Sequence, residues 1–251
     1  MELQYATGKT DIYSEKFVFI GPPKFGKTTT ASGFPDNTFI VHDPVEIQKL
    51  QVPYLHVQNW TDVLLATDEM IRNKRKHKMK FLTFDYIDVF HAHCEEYICG
   101  KGSVEYLGDF GHGKGWDQAK TEFKKWLYRL FSSGYGLIFI THTQTRELMT
   151  RNGVITKTTC TLNDRAAGML FPLVSVIGSM EAHTKKVTDQ LSKKIKYINE
   201  RRINFEQTEY ILAGDRTGAL PSSITMYSDP RKTFELIKSY YDGTRMKGGT
   251  I

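Results

Sequence analysis

The chain has 251 residues, 40% hydrophobic and 25% charged, with 34 Lys+Arg against 28 Asp+Glu for a formal net charge of +6. That balance belongs to a globular protein and excludes a disordered tail. No apolar run approaches the roughly 18 residues of a membrane helix, and three cysteines (Cys94, Cys99, Cys160) are too few for a disulfide framework.

Residues 1–16 are polar, so no secretory signal is expected and a cytoplasmic location with no membrane partner is. Phe17–Ile20 is a buried-type strand, followed at once by Gly21, Pro22, Pro23, Lys24, Phe25, Gly26, Lys27 and Thr28. A helix starts at the Gly-Lys-Thr and stops at Gly33 and Pro35. Thr38–Val41 reads as a second strand, and Trp60 to about Lys76 as an amphipathic helix with Val63, Leu64, Met70 and Ile71 on one face. Phe81–Phe84 is a third strand ending in Asp85, and Tyr86 to about Cys99 a helix. Residues 100–115 hold six glycines and predict no regular element. Trp116–Phe131 is helical again. Leu137–Thr141 is a fourth strand, running into His142, Thr143 and Gln144. Later runs, Val174–Ile177, Ile195–Ile198 and Glu209–Leu212, predict antiparallel strands added at one edge. Strands alternating with helices, and apolar throughout, predict an α/β fold with a mostly parallel sheet covered on both faces. No linker or repeat interrupts it. The chain therefore reads as a single domain over 1–251, with a core of about 17–224 and a helical tail of about 230–251.

The segment Gly21–Thr28 fits the G-x-x-x-x-G-K-[ST] phosphate loop and lies between a strand and a helix, as that loop requires. The backbone of Gly21–Thr29 would wrap a β-phosphate, Lys27 would reach the β/γ oxygens, and the Thr28 hydroxyl would join a magnesium shell. Lys27 is expected to face solvent when no nucleotide is bound. Asp85, at the end of a strand, is placed to hold the metal through water, or else to cap the following helix. To orient the attacking water, Asp43 and Glu46 are the carboxylate candidates, and Gln144 is a candidate γ-phosphate sensor.

Charge is unevenly spread: residues 1–112 hold 12 basic and 15 acidic side chains (net −3), residues 113–251 hold 22 and 13 (net +9). A basic half suits a polyanion. The segment 185–202 carries seven basic residues against two acidic, which fits either a backbone-tracking surface or an edge strand guarded by lysines. The spacing of His91, His93, Cys94, Cys99 and His112 matches no zinc pattern.

Taken together, the phosphate loop, the acidic turn after the second strand, Phe84-Asp85, the Gly-rich Asp109–Gly115 and Ile140–Gln144 resemble the RecA-like P-loop ATPases encoded by phages. Phage single-strand annealing proteins are among these. The segment Ala213–Pro221 is similar to that family's C-terminal signature. The resemblance implies an ATP- and magnesium-dependent RecA-like core that assembles as a homo-oligomer, ring or filament. It would act on single-stranded DNA in annealing or recombination, with a single-strand binding protein as a further partner. It also implies a cation supplied by the neighbouring subunit, for which Arg165 and Arg216 are candidates. A mobile DNA-binding loop is expected at 145–165, where Arg146, Arg151 and Lys157 supply charge and Tyr106, Phe110 and Trp116 supply stacking. In the wider RecA-like class a catalytic Glu follows the second strand; here both Asp43 and Glu46 match that place, which suits slow hydrolysis. The alternative is a nucleotide-gated accessory factor that binds ATP without touching DNA. A helicase or packaging motor is disfavoured because no extra helicase domain is present.

Overall fold

The computed structural model describes residues 10–151, 153–188 and 195–245. The parts of the basic segment and of the C-terminal tail at 189–194 and 246–251 lie outside them. In chain order the elements are β1 (Lys16–Gly21), α1 (Lys27–Ser32), β2 (Asn37–Val41), β3 (Tyr54–His56), α2 (Trp60–Arg72), α3 (Lys74–His77) and β4 (Phe81–Asp85). Then follow α4 (Ile87–Gly102), α5 (Lys114–Phe131), β5 (Gly136–Thr150), β6 (Gly153–Cys160), α6 (Asp164–Leu170), β7 (Val176–Thr188), β8 (Ile195–Asn204), β9 (Gly214–Asp215), β10 (Ser223–Thr225) and α7 (Pro230–Tyr241).

The sheet runs β10-β8-β7-β1-β5-β4-β2-β3. Pairs from β7 through β3 are parallel, and β8, β9 and β10 add antiparallel partners beyond β7. This is the expected α/β fold. Continuous apolar strands arise because both sheet faces are covered. Val18, Ile20, Phe84 and Phe139 pack against α2, α4, α5 and α6 through Trp60, Phe123 and Trp126. Phe17, Phe19, Phe81 and Ile140 pack on the other face with Phe34, Phe234 and Ile237. Each such aromatic stabilises the core by about 1.5–3 kcal/mol on burial. Gly33 fits α1 against α7, since a Cβ there would lie 2.1 Å from the Pro230 carbonyl oxygen.

Three expectations are corrected, and one strand is added. The fourth strand does not stop at Thr141: β5 continues to Thr150 and turns back as β6, so 145–165 is a hairpin leading into α6 rather than a loop. The run beginning at Val174 becomes β7, which is parallel to β1 and long, while 209–212 contributes only a bridge from Ile211 to Thr158. The Gly-rich segment is largely ordered into helix: α4 extends to Gly102, a 3-10 turn covers Leu107–Phe110, and α5 starts at Lys114. Two of its glycines are there for contact, because a Cβ on Gly102 would meet the Phe110 ring and one on Gly115 the Leu107 carbonyl. Finally, the edge strand β3 has no signal in the sequence.

The histidines and cysteines of α4 serve the packing. His91 lies edge-on to Phe123 with Nδ1 3.2 Å from the Asn163 amide, and burial pulls its pKa down to about 4. Cys94 is buried, with Sγ 3.7 Å from the Ala119 carbonyl.

Candidate nucleotide site

β1 sits mid-sheet, hydrogen-bonded to β5 on one edge and β7 on the other, so the loop leaving Gly21 springs from a fixed base. Lys24 (φ 59°) and Gly26 (φ 97°) adopt the left-handed backbone that turns the loop into α1. Gly21 leaves space for the Lys27 stem, which passes 3.4 Å from where its Cβ would be. Lys27 is therefore buried, only 4% exposed, rather than facing solvent. Its Nζ donates to the Gly21 carbonyl (2.8 Å) and the Pro22 carbonyl (2.9 Å), and lies 3.0 Å from His142 Nδ1. Desolvation lowers the ammonium pKa to about 8, against the fields of Asp85, Glu46 and Asp88.

Asp85 ends β4, one strand beyond β5, and is 6% exposed with neither carboxylate oxygen hydrogen-bonded. Burial pushes its pKa up to about 6; the Thr28 hydroxyl and Lys27 pull the other way, and Glu46 adds to the rise. A buried carboxylate with two unsatisfied oxygens beside a phosphate loop is what a hydrated cation would complete. The helix-cap reading fails, since Asp85 caps nothing and Tyr86 occupies the N-cap position of α4. The two acidic-turn candidates separate. Asp43 Oδ1 accepts from Val45 N and caps the 3-10 turn Pro44–Glu46, whereas the Glu46 charge reaches Lys27, Asp85 and His142.

A family model described as AAA domain matches residues 14–217, four fifths of the chain and the whole phosphate-loop region. The chain belongs to the AAA domain family. It is accordingly a nucleotide-binding P-loop ATPase by family. No curated protein sequence matches it. Among the described residues no helix of this AAA domain is long and apolar enough to cross a membrane.

Two further residues complete the site. His142 follows the core of β5, stands edge-on to Tyr86 at 4.7 Å and accepts from Lys27, its pKa lowered by burial and by that cation. Gln144, two residues on, is turned away: its amide donates to the Cys160 carbonyl inside the β5–β6 hairpin. The group against Lys27 is thus His142. Asp88, in the first turn of α4, accepts from the Thr161 hydroxyl at 2.7 Å and keeps a second, buried oxygen unpartnered. Neither was singled out from sequence, although Asp88 lies one turn after Asp85 and His142 shares the strand alternation of Gln144.

The remaining candidates lie outside this cluster. Arg146 and Lys157 are cross-strand neighbours of the hairpin, with Arg146 ion-paired to Asp164 at 2.6 Å, and Arg151 is exposed at the turn. Tyr106 is exposed, whereas Phe110 and Trp116 are partly buried against Ile98, Leu107 and Ala119. In the single chain Arg165 stacks 4.1 Å over the Trp116 ring, and Arg216 donates to the Pro172 carbonyl at 2.7 Å. The AAA domain therefore draws Lys27, Thr28 and Asp85 together, with the exposed Glu46 acting on them through its charge, and leaves these cations apart.

Proposed function

We propose that the chain, as a single RecA-like domain of the phage-encoded kind, hydrolyses ATP with magnesium and uses the cycle to bind single-stranded DNA for annealing or recombination. Thr28 and Asp85 would hold the metal, and Gly21–Thr29 the phosphates. When bound, magnesium would neutralise charge developing between the β- and γ-phosphoryl oxygens. Lys27 would exchange its carbonyl and His142 contacts for phosphate oxygens. Glu46, the unencumbered carboxylate of the acidic turn, would orient water. Side-by-side assembly into a ring or filament would let Arg165 or Arg216 leave their same-chain partners for a neighbour's nucleotide.

One observation carries the DNA reading: β5 passes from His142, against Lys27, into a hairpin bearing Arg146, Arg151 and Lys157. A hairpin continuous with the strand that touches the phosphate loop can pass nucleotide state to a polyanion surface. The Arg146–Asp164 pair is no obstacle, because exposed pairs contribute about 0–1 kcal/mol. The partial burial of Phe110 and Trp116 limits the stacking surface and is what favours the accessory-factor alternative.

Salt titration of single-strand binding separates the two. Removing a cation that neutralises one phosphate lowers the slope of log K against log salt by about 0.7, so the Arg146→Ala, Arg151→Ala double variant should flatten it by roughly 1.4. Wild-type protein that binds no single strand at low salt, with ATP and magnesium present, would leave only the accessory factor.

A further inference from the structure

The second hairpin also reaches the phosphate loop. β7 pairs with β1 as far as Ile20 and Ser179, then runs on to Thr188 with β8 alongside. Ile203 of β8 lies in the core beneath α1 and α7, so Arg201, two residues away, emerges on the same face. Its cross-strand neighbour is the small Ala182. Arg201 Nη1 donates to the Phe25 carbonyl at 3.3 Å, and the guanidinium lies 5.2 Å over the Phe25 ring. It is also 3.5 Å from where a Gly26 Cβ would stand. The backbone beneath is fixed, since the Arg201 carbonyl accepts from Met226 N at 2.8 Å. The adjoining Arg202 behaves differently, pairing with Glu200 at 3.2 Å. Arg201 has no carboxylate partner among the described residues, and of its five N–H donors one is used here, on a neutral carbonyl.

We propose that Arg201 is a nucleotide-binding cation supplied by the same chain, tying the β7–β8 hairpin to the phosphate loop when nucleotide is present. A guanidinium held by a neutral acceptor beside a phosphate-binding turn gains by moving to an anionic oxygen, where charge-assisted bonds are about twice as strong. Because the main chain of Arg201 is anchored in β8, a guanidinium held by nucleotide also holds the β7–β8 hairpin against the phosphate loop. Its outer part carries Lys185, Lys186 and Tyr197, so nucleotide would set the position of a basic, aromatic surface. The proposal rests on the nucleotide-binding reading of the phosphate loop.

Binding of a fluorescent ATP analogue, with hydrogen exchange read over 176–188 and 195–204, tests it in the full chain. Arg201→Ala should weaken ATP about tenfold, Arg201→Lys less, and Arg202→Ala not measurably. ATP should protect β8 amides in the wild type but not in Arg201→Ala, while phosphate-loop amides stay protected in both. Wild-type affinity in Arg201→Ala would overturn the proposal. So would recovery of that variant on mixing with Lys27→Ala chains, which would mean the cation acts across subunits. If wild-type chain binds no analogue, or Lys27→Ala binds as tightly as wild type, the phosphate-loop reading itself falls.

Discussion

Lys27→Ala is expected to lower ATP turnover by on the order of 10²-fold or more, with the fold intact. The side chain is a cation buried at the loop, and its three contacts are with the Gly21 and Pro22 carbonyls and His142 rather than with the hydrophobic core. Truncation removes a desolvated charge while stranding two carbonyls, and these changes oppose each other in stability. Lys27→Met, closer in shape, guards against a packing artefact. Steady-state turnover with circular dichroism reads both. The wild type should also lose nucleotide affinity as pH rises through about 8, since the lowered pKa means the ammonium is lost there rather than near 10.5. Full turnover in the purified Ala variant would end the phosphate-loop assignment.

Asp85→Asn should do something less common, stabilising the protein as it disables it. The Asp85 pKa is raised from 3.8 to about 6, so between those values the folded chain keeps a proton that the unfolded chain releases. Stability therefore falls as pH rises through that window, and above about pH 6 the penalty stands in full. A shift of that size corresponds to about 3 kcal/mol, of which the unpartnered Asn amide would recover a part. Urea melts at pH 7.5 should place the variant about 1–3 kcal/mol above wild type, with the gap closed near pH 4. Lys27 loses a counter-charge in the exchange but retains its carbonyls and His142. Magnesium-dependent turnover should collapse, and magnesium with nucleotide should raise the melting point of wild type alone. A stability gap that ignores pH would show that Asp85 is not held as a strained, desolvated carboxylate.

The parts legible in the sequence are those whose signal is local. Gly21–Thr28 specifies its own turn chemistry, and Phe17–Ile20, Phe81–Phe84 and the amphipathic 116–131 advertise burial by composition alone. The β5–β6 hairpin is not legible because neither face is buried: Thr145, Glu147, Thr156 and Thr158 line one side, Arg146 and Lys157 the other, and its apolar Leu148, Met149 and Val154 are exposed, so no core face marks it as strand. The glycines of 100–115 mislead for the opposite reason, since close helix contact, not chain reversal, selects Gly102 and Gly115. His142 and Arg201 lie 115 and 176 residues from the loop residues they touch, and no spacing rule spans that distance. Asp43 and Glu46 could not be told apart until one was seen capping its own turn.

The tryptophans give the molecule a built-in optical reporter. Of three in the sequence, Trp60 and Trp126 are buried 5.3 Å apart in the core, where nothing at the surface should alter their emission. Trp116 is half-exposed beneath the Arg165 guanidinium, a cation close enough to perturb its excited state. If assembly draws Arg165 off to a neighbouring subunit, emission from Trp116 alone should change with protein concentration. A Trp116→Phe chain would then be optically silent on assembly, and unlabelled protein could report its own association.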